Sequence, residues 1–219
     1  MKIFLDTANI EQIKKWIDTG LIDGITTNPS NLSKVGGNPK QTVLDICKLL
    51  PEGHISVEVT RSDPQDIYKQ ALEIAALSNN IWVKIPCHSR YYAVIQQLIK
   101  ENIKLNITLV FTLLQSLMMC KLRAFYISPF VGRWDDIDVD GIEFISQTRE
   151  MIDFYGFETQ ILAASLRTVQ NFHDAIMAGA DAVTLPFEIF EKSLDNPLTA
   201  QGMEKFTQDW TKLGVNHFP

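Results

Sequence analysis

Ile81-Trp82-Val83-Lys84-Ile85-Pro86 is followed by a helical pattern over 91–101 and then by Lys104-Leu105-Asn106-Ile107-Thr108-Leu109-Val110. Two short apolar runs rich in β-branched residues, separated by one helix, read as a parallel β-α-β unit. Moving outward, the alternation continues to both ends of the chain. Strands are expected over 2–7, 24–27, 55–60, 125–130, 159–165 and 182–186, and helices over 10–18, 39–49, 64–78, 113–122, 141–154 and 169–178. The strands are apolar almost throughout, as in a parallel sheet covered by helices. Eight such units at about 27 residues each predict an α/β fold of the closed (β/α)8 type. The rival, an open doubly wound sheet, needs two blunted edge strands, and only the short run 24–27 could serve as one.

Local signals agree with this division. Asn9, Asp63 and Thr168 stand where a side-chain N-cap is expected, and Pro64 suits a first helical turn. Gly20, Gly156 and Gly179 follow helical patterns, where a left-handed cap costs glycine least. Ile10, Ile13 and Ile17 mark the buried face of the first helix, and Val169, Phe172 and Ile176 that of the seventh. Beyond the eighth strand, Met203, Phe206, Trp210 and Leu213 form an apolar stripe at three- and four-residue steps over 198–213. That extra C-terminal helix is expected to pack on its own barrel or on a neighbouring subunit. With no linker or low-complexity tract, residues 1–219 read as one domain.

Composition excludes several classes. The 219 residues carry 20 basic and 26 acidic side chains, a formal charge of −6, which is no footprint for nucleic acid. The run 109–120, interrupted by Thr112, Gln115 and Ser116, is too short and broken to span a bilayer. Asp6 interrupts the N-terminal apolar run too early for a signal peptide. Cys47, Cys87 and Cys120, an odd number at wide spacing, fit a reducing compartment. A cytoplasmic protein without nucleic-acid or membrane partners is expected. His54, His88, His173 and His217 lack metal-ligand spacing, and there is no dinucleotide or phosphate-loop fingerprint, so neither metal nor cofactor is expected. The acidic stretch Asp135, Asp136, Asp138 and Asp140 reads as a solvated loop.

Barrel enzymes place their chemistry at the C-terminal ends of the strands. Here those ends carry Asp6, Thr26-Thr27-Asn28, Glu58, Lys84, Asn106 with Thr108, Ser128 and Ser165. Lysine is almost never buried unpaired, so Lys84 among Trp82, Val83 and Ile85 needs a reason. It either snorkels or neutralises Asp6 or Glu58, or it is a desolvated amine that attacks a carbonyl to form a Schiff base. The second alternative needs carboxylates to move protons, and Asp6 and Glu58 are available. Arg133 after the sixth strand, with Ser165 and Arg167 after the seventh, could bind a phosphate. An adjacent Cys87-His88 pair is a weaker nucleophile candidate.

The segment Asp23-Gly24-Ile25-Thr26-Thr27-Asn28-Pro29-Ser30 closely resembles the N-terminal signature of the transaldolase family. Val83-Lys84-Ile85-Pro86 looks like the segment bearing that family's Schiff-base lysine. The resemblance continues through Asn106-Ile107-Thr108-Leu109, Ser128-Pro129-Phe130-Val131-Gly132-Arg133 and Ala163-Ala164-Ser165-Leu166-Arg167, nearly the whole chain. The length is similar to the small-subunit branch of short transaldolases and fructose-6-phosphate aldolases, which implies a TIM barrel of the class I aldolase type and a homo-oligomer, pentamer or decamer.

The resemblance further implies that Lys84 attacks the ketone of fructose 6-phosphate or sedoheptulose 7-phosphate, in the pentose phosphate pathway. Asp6 would take the C4 hydroxyl proton, and Glu58, Thr108 and a held water would move protons at the imine. Asn28, Asn106 and Ser128 would hold hydroxyls, Thr26 and Phe130 would line the pocket, and Arg133, Ser165 and Arg167 would bind phosphate. The dihydroxyacetone unit left on Lys84 would pass to glyceraldehyde 3-phosphate or erythrose 4-phosphate. Aldolases of this branch typically have glutamine at the position of Glu58 and tyrosine at that of Phe130, so the resemblance favours transfer over release of dihydroxyacetone. A deoxyribose-phosphate aldolase, or a sugar-phosphate binding protein on a retired barrel, fits the motif order and the intact Lys84, Asp6 and Glu58 less well. Two departures stand out: Cys87-His88-Ser89-Arg90-Tyr91-Tyr92 replaces the usual turn and could reshape the pocket mouth, and Asn31 replaces an apolar residue.

Overall fold

Each helix start has a chemical cause. The Asn9 side chain accepts the backbone N–H of Glu11 and Gln12, Asp63 those of Gln65 and Asp66, and Thr168 that of Asn171. These bonds satisfy donors that a helix leaves unpaired in its first turn. Gly20, Gly156 and Gly179 all adopt positive φ, as expected for chain reversals after helices.

The computed structural model describes residues 1–215 and 217. In chain order it contains β1 (Lys2–Asp6), α1 (Ile10–Ile17), β2 (Gly24–Thr26), α2 (Pro29–Val35), α3 (Pro39–Leu49), β3 (His54–Glu58), α4 (Pro64–Ala75) and β4 (Ile81–Pro86). A 3-10 turn, Ser89–Tyr91, leads into α5 (Tyr92–Lys100), β5 (Leu105–Val110), α6 (Leu113–Lys121), β6 (Tyr126–Pro129), α7 (Val131–Asp135) and α8 (Gly141–Tyr155). The chain continues through β7 (Gln160–Ala163), α9 (Val169–Met177), β8 (Ala182–Leu185), α10 (Phe187–Leu194) and α11 (Pro197–Lys212). The eight strands are all parallel and close into a barrel, with β8 pairing back to β1. This is the (β/α)8 fold, with α11 as an additional C-terminal helix.

Two layers of packing follow from strand periodicity. Outward-facing residues such as Leu5, Ile25, Ile55, Val83, Ile85 and Ile107 are buried against the helices. Inward-facing Phe4, Trp82, Tyr126, Leu162 and Ala182 form a separate cluster at the N-terminal end of the barrel. Gly24 is required beside it, because a Cβ there would lie 2.5 Å from the His54 carbonyl oxygen and 2.9 Å from the Phe4 ring.

The structure departs from expectation in two places and narrows one alternative. Helices α2 and α7 were not anticipated, since α2 has no buried residue and α7 has only five residues, too few for an apolar period. On α9 Phe172 packs against the core as expected, but Ala175 is the buried residue and Ile176 is 44% exposed. The α11 stripe is not covered by its own barrel: Met203 is 65%, Phe206 73% and Leu213 66% exposed. Among the described residues, no helix is long and apolar enough to cross a membrane.

Candidate active site

Strand register brings the polar residues together. In a closed parallel barrel, residues level on adjacent strands face the same side. Asp6 is level with Thr26, while Glu58 is level with Lys84 and Lys84 with Asn106. All point into the C-terminal half of the barrel, where a cavity of about 400 Å³ opens. Asp6, Thr26, Asn28, Glu58, Lys84, Phe130, Arg133, Ser165 and Arg167 line it.

Lys84 is buried, and its Nζ lies 3.2 Å from Glu58 Oε2 and donates to the Thr27 carbonyl oxygen at 3.2 Å. The ammonium is therefore paired, with Glu58 as its nearest carboxylate. Asp6 receives three donors on one oxygen: Thr26 Oγ1 at 3.1 Å, Asn28 Nδ2 at 3.4 Å and Asn31 Nδ2 at 2.8 Å, all to Oδ1. Burial pushes the Asp6 carboxyl above the usual carboxylate range, against the opposing charge of Lys84 and the Thr26 and Asn31 hydrogen bonds. The Thr26 hydroxyl also shares a 2.6 Å hydrogen bond with Thr184, so a residue of β8 completes this polar ring.

Asn106, Thr108 and Ser128 are fully or almost fully buried and do not line the cavity. Ser128 Oγ donates to Asn106 Oδ1 at 2.7 Å, and Asn106 Nδ2 donates to Ser56 Oγ at 3.1 Å. These two predicted substrate ligands are thus engaged with protein in this structure. Thr108 Oγ1, in contrast, is buried with no hydrogen-bond partner among the described residues. Such a hydroxyl is costly unless it serves something else.

At the rim, Arg167 forms a two-pronged ion pair with Asp136, in which Nη2 reaches Oδ2 at 2.7 Å and Nη1 contacts Oδ1. The acidic stretch is therefore structured rather than merely solvated. Asp140 caps α8 by accepting the N–H of Ile142 and Glu143, and Asp135 accepts from Asn171 Nδ2 at 3.4 Å. Arg133 lies over the Phe130 ring, 5.9 Å from its centre. Gly132 lets the start of α7 approach the loop after β7, since a Cβ there would stand 2.4 Å from the Ser165 carbonyl oxygen and 2.6 Å from Arg167 Nε. Ser165 itself adopts φ 60°, and Leu109, also on the cavity wall, φ 56°. Left-handed backbone in non-glycine residues stores strain that clusters at functional sites.

Residues 87–92 do not line the cavity, contrary to the expectation that they reshape its mouth. Tyr91 OH donates to the Ser62 carbonyl and Gln115 Nε2 to that of Cys87, which tie the segment to the barrel wall. A wider recess, of about 520 Å³, lies at the opposite end of the barrel between Cys120, Arg123 and Phe157, away from every predicted site residue. Sequence reasoning missed Asn31, Thr184 and Asp136; Asn31 was visible only as a departure from the family signature.

A lysine and two carboxylates at strand ends, beneath a rim bearing arginines, are parts suited to an enzyme acting on an anionic substrate within a barrel. The chain matches the Transaldolase/Fructose-6-phosphate aldolase family over residues 3–217 and belongs to that family. It is 44% identical over 213 residues to a probable transaldolase of Leptospira biflexa, covering 97% of this chain and 99% of that protein. It is 44% identical over 212 residues to a probable transaldolase of Petrotoga mobilis, covering 97% and 96%. Among solved structures, thiamine phosphate pyrophosphorylase from Pyrococcus furiosus superposes with a TM-score of 0.59 over 84% of this chain and 85% of that one. At 16% identity that likeness shows the fold alone.

Proposed function

We propose that the protein is a transaldolase that moves a dihydroxyacetone unit from a ketose phosphate to an aldose phosphate through a Schiff base on Lys84. The observation that carries this reading is the buried Lys84 ammonium, 3.2 Å from Glu58, in the same cavity as the Asp6 carboxyl. Membership of the family supports the same chemistry.

In the proposed sequence, Glu58 takes a proton from the Lys84 ammonium, the neutral amine adds to C2 of fructose 6-phosphate or sedoheptulose 7-phosphate, and the carbinolamine loses water to give the iminium. Glu58 and the Thr108 hydroxyl manage the protons of these steps, with Thr108 holding the water. The Asp6 carboxylate takes the C4 hydroxyl proton as the C3–C4 bond breaks. The bonding electrons flow into the iminium, an aldose phosphate leaves, and an enamine remains on Lys84. Glyceraldehyde 3-phosphate or erythrose 4-phosphate then accepts that carbon, Asp6 returns the proton, and hydrolysis frees Lys84.

Thr26 and Asn28 hold Asp6, Asn28 also meets a substrate hydroxyl, and Asn106 and Ser128 hold hydroxyls after exchanging their mutual bond for substrate. Arg133, Ser165 and Arg167 receive the phosphate, with Asp136 yielding Arg167 to it. Phe130 brings no hydroxyl to the reacting centre, which favours an enamine that survives until the acceptor arrives. No cofactor or metal enters this scheme.

The whole chain, 1–219, is read as one catalytic domain working in the cytoplasm. The exposed stripe of α11 suits burial against a second copy, in a pentamer or decamer of the kind the family resemblance implies.

The test mixes protein and fructose 6-phosphate with and without erythrose 4-phosphate. Sedoheptulose 7-phosphate formed only when the acceptor is present supports transfer. Free dihydroxyacetone as the main product replaces this reading with fructose-6-phosphate aldolase.

A further inference from the structure

Asp6 is held by an unusual third donor. Thr26 and Asn28 reach its Oδ1 from β2 and the turn after it, but the shortest bond, 2.8 Å, comes from Asn31 in the first turn of α2. The placement of Asn31 is itself built in. Its backbone N–H donates to Asn28 Oδ1 at 2.9 Å, so Asn28 starts α2 with its oxygen while its nitrogen faces Asp6. One asparagine thus sets the position from which the next reaches the carboxylate. All three donors use Oδ1, which leaves Oδ2 outside this set and available for a substrate hydroxyl.

We propose that Asn31 is a positioning residue for carbon–carbon bond cleavage: its amide fixes the Asp6 carboxylate through Oδ1 and favours the ionised form that abstracts the proton. This rests on the role of Asp6 in the proposed function. Other groups act on the same carboxyl. Lys84 on β4 and Lys34 on α2 favour its charged form. Glu58 on β3 offsets part of the Lys84 charge, and Glu188 on α10 lines, with Asp6, Asn31 and Lys34, the recess behind it. Arg133 and Arg167 share the cavity on its other side. Burial opposes ionisation and outweighs these aids, so the carboxyl sits above its ordinary range. Loss of the Asn31 amide removes one hydrogen bond to the charged form only, and protonation of the base then extends to higher pH.

The experiment measures kcat/KM for transfer from fructose 6-phosphate to erythrose 4-phosphate across the acid limb of the pH profile. Wild type is compared with Asn31→Leu, Asn31→Ala and Asn31→Asp. For Asn31→Leu and Asn31→Ala the acid limb is expected to move upward by roughly one pH unit, as loss of one hydrogen bond to a charged group implies. Asn31→Asp, which sets a second carboxylate beside the first, is expected to move it further. Asn31→Ala keeps the test open if the leucine variant does not fold.

A limb that stays in place, with activity lowered equally at every pH, means a merely structural asparagine and overturns the proposal. Borohydride trapping of the three-carbon unit on Lys84 is run beside each profile. Trapping in wild type with an unmoved limb overturns the Asn31 inference alone. No trapping in wild type overturns the proposed function, and the inference with it.

Discussion

The inside of the barrel has two floors, one strand step apart. On β1 the inward residues run Phe4 then Asp6, on β4 Trp82 then Lys84, on β6 Tyr126 then Ser128, and on β8 Ala182 then Thr184. The lower floor is a plug of rings. Phe4 meets Tyr126 edge-on at 6.0 Å, Trp82 meets Tyr126 at 5.1 Å, and His54 stacks on Trp82 at 4.7 Å. Its one titratable base is kept neutral: Lys2 Nζ donates to His54 Nε2 at 3.2 Å, so His54 Nδ1–H donates to the Tyr126 oxygen at 3.0 Å. Burial, with Lys2 and Lys104 nearby, lowers the His54 pKa to about 4. The upper floor instead gathers a paired ammonium and two carboxyls. The same backbone and the same burial therefore yield packing below and a polar cavity above, according to whether polar groups are satisfied by one another or left facing open space.

Variants should separate the floors. Lys84→Met is expected to abolish transfer by at least about 10⁴-fold, since no other amine faces the substrate ketone in the proposed scheme, while circular dichroism stays unchanged. Asp6→Asn is expected to lower kcat by about 10²–10⁴-fold and, unlike a lower-floor change, to raise the thermal midpoint near neutral pH. The sign follows from the raised pKa: the folded state holds the Asp6 proton more tightly than the unfolded chain, so stability falls as pH rises through the folded value. Replacing the carboxylate removes that loss. If Asp6→Asn melts lower than wild type at neutral pH, the upper floor is structural too.

Trp82→Ala is expected to cost about 3–5 kcal/mol in denaturant unfolding through loss of a large buried ring. Properly folded protein should keep its Schiff-base chemistry. His54 gives the lower floor a pH signature of its own. Its pKa is lowered in the folded state, so its contribution is present above the ordinary histidine value and is lost as pH falls towards about 4. The thermal midpoint of wild type should drop over that window more than that of His54→Gln. Smallest of all, Asp136→Asn should lower KM for the donor by about threefold with kcat unchanged, because a phosphate no longer competes with a carboxylate for Arg167. An unchanged KM would separate Arg167 from phosphate binding.

Much of the lower and upper floors was legible in the chain. The eight apolar runs, the caps at Asn9, Asp63 and Thr168, and a lysine inside a buried strand are local signals. What escaped was tertiary. The Asp136–Arg167 pair joins the loop after β6 to that after β7, 31 residues apart, and nothing local in the acidic stretch distinguishes it from a solvated loop. Thr184 looked like a strand residue because its hydroxyl finds Thr26 only when β8 closes on β1. Asn106 and Ser128 were expected at the cavity, and they bond each other because β5 and β6 lie side by side. The apolar stripe of α11 was periodic enough to predict a helix but could not say what it faces.

In the proposed scheme the upper floor makes Lys84 a nucleophile. Borohydride added during turnover of fructose 6-phosphate, followed by peptide mass spectrometry, tests it directly. A reduced three-carbon adduct is expected on Lys84, absent without sugar phosphate and absent in Lys84→Met. Turnover without any adduct, or an adduct on another lysine, contradicts it.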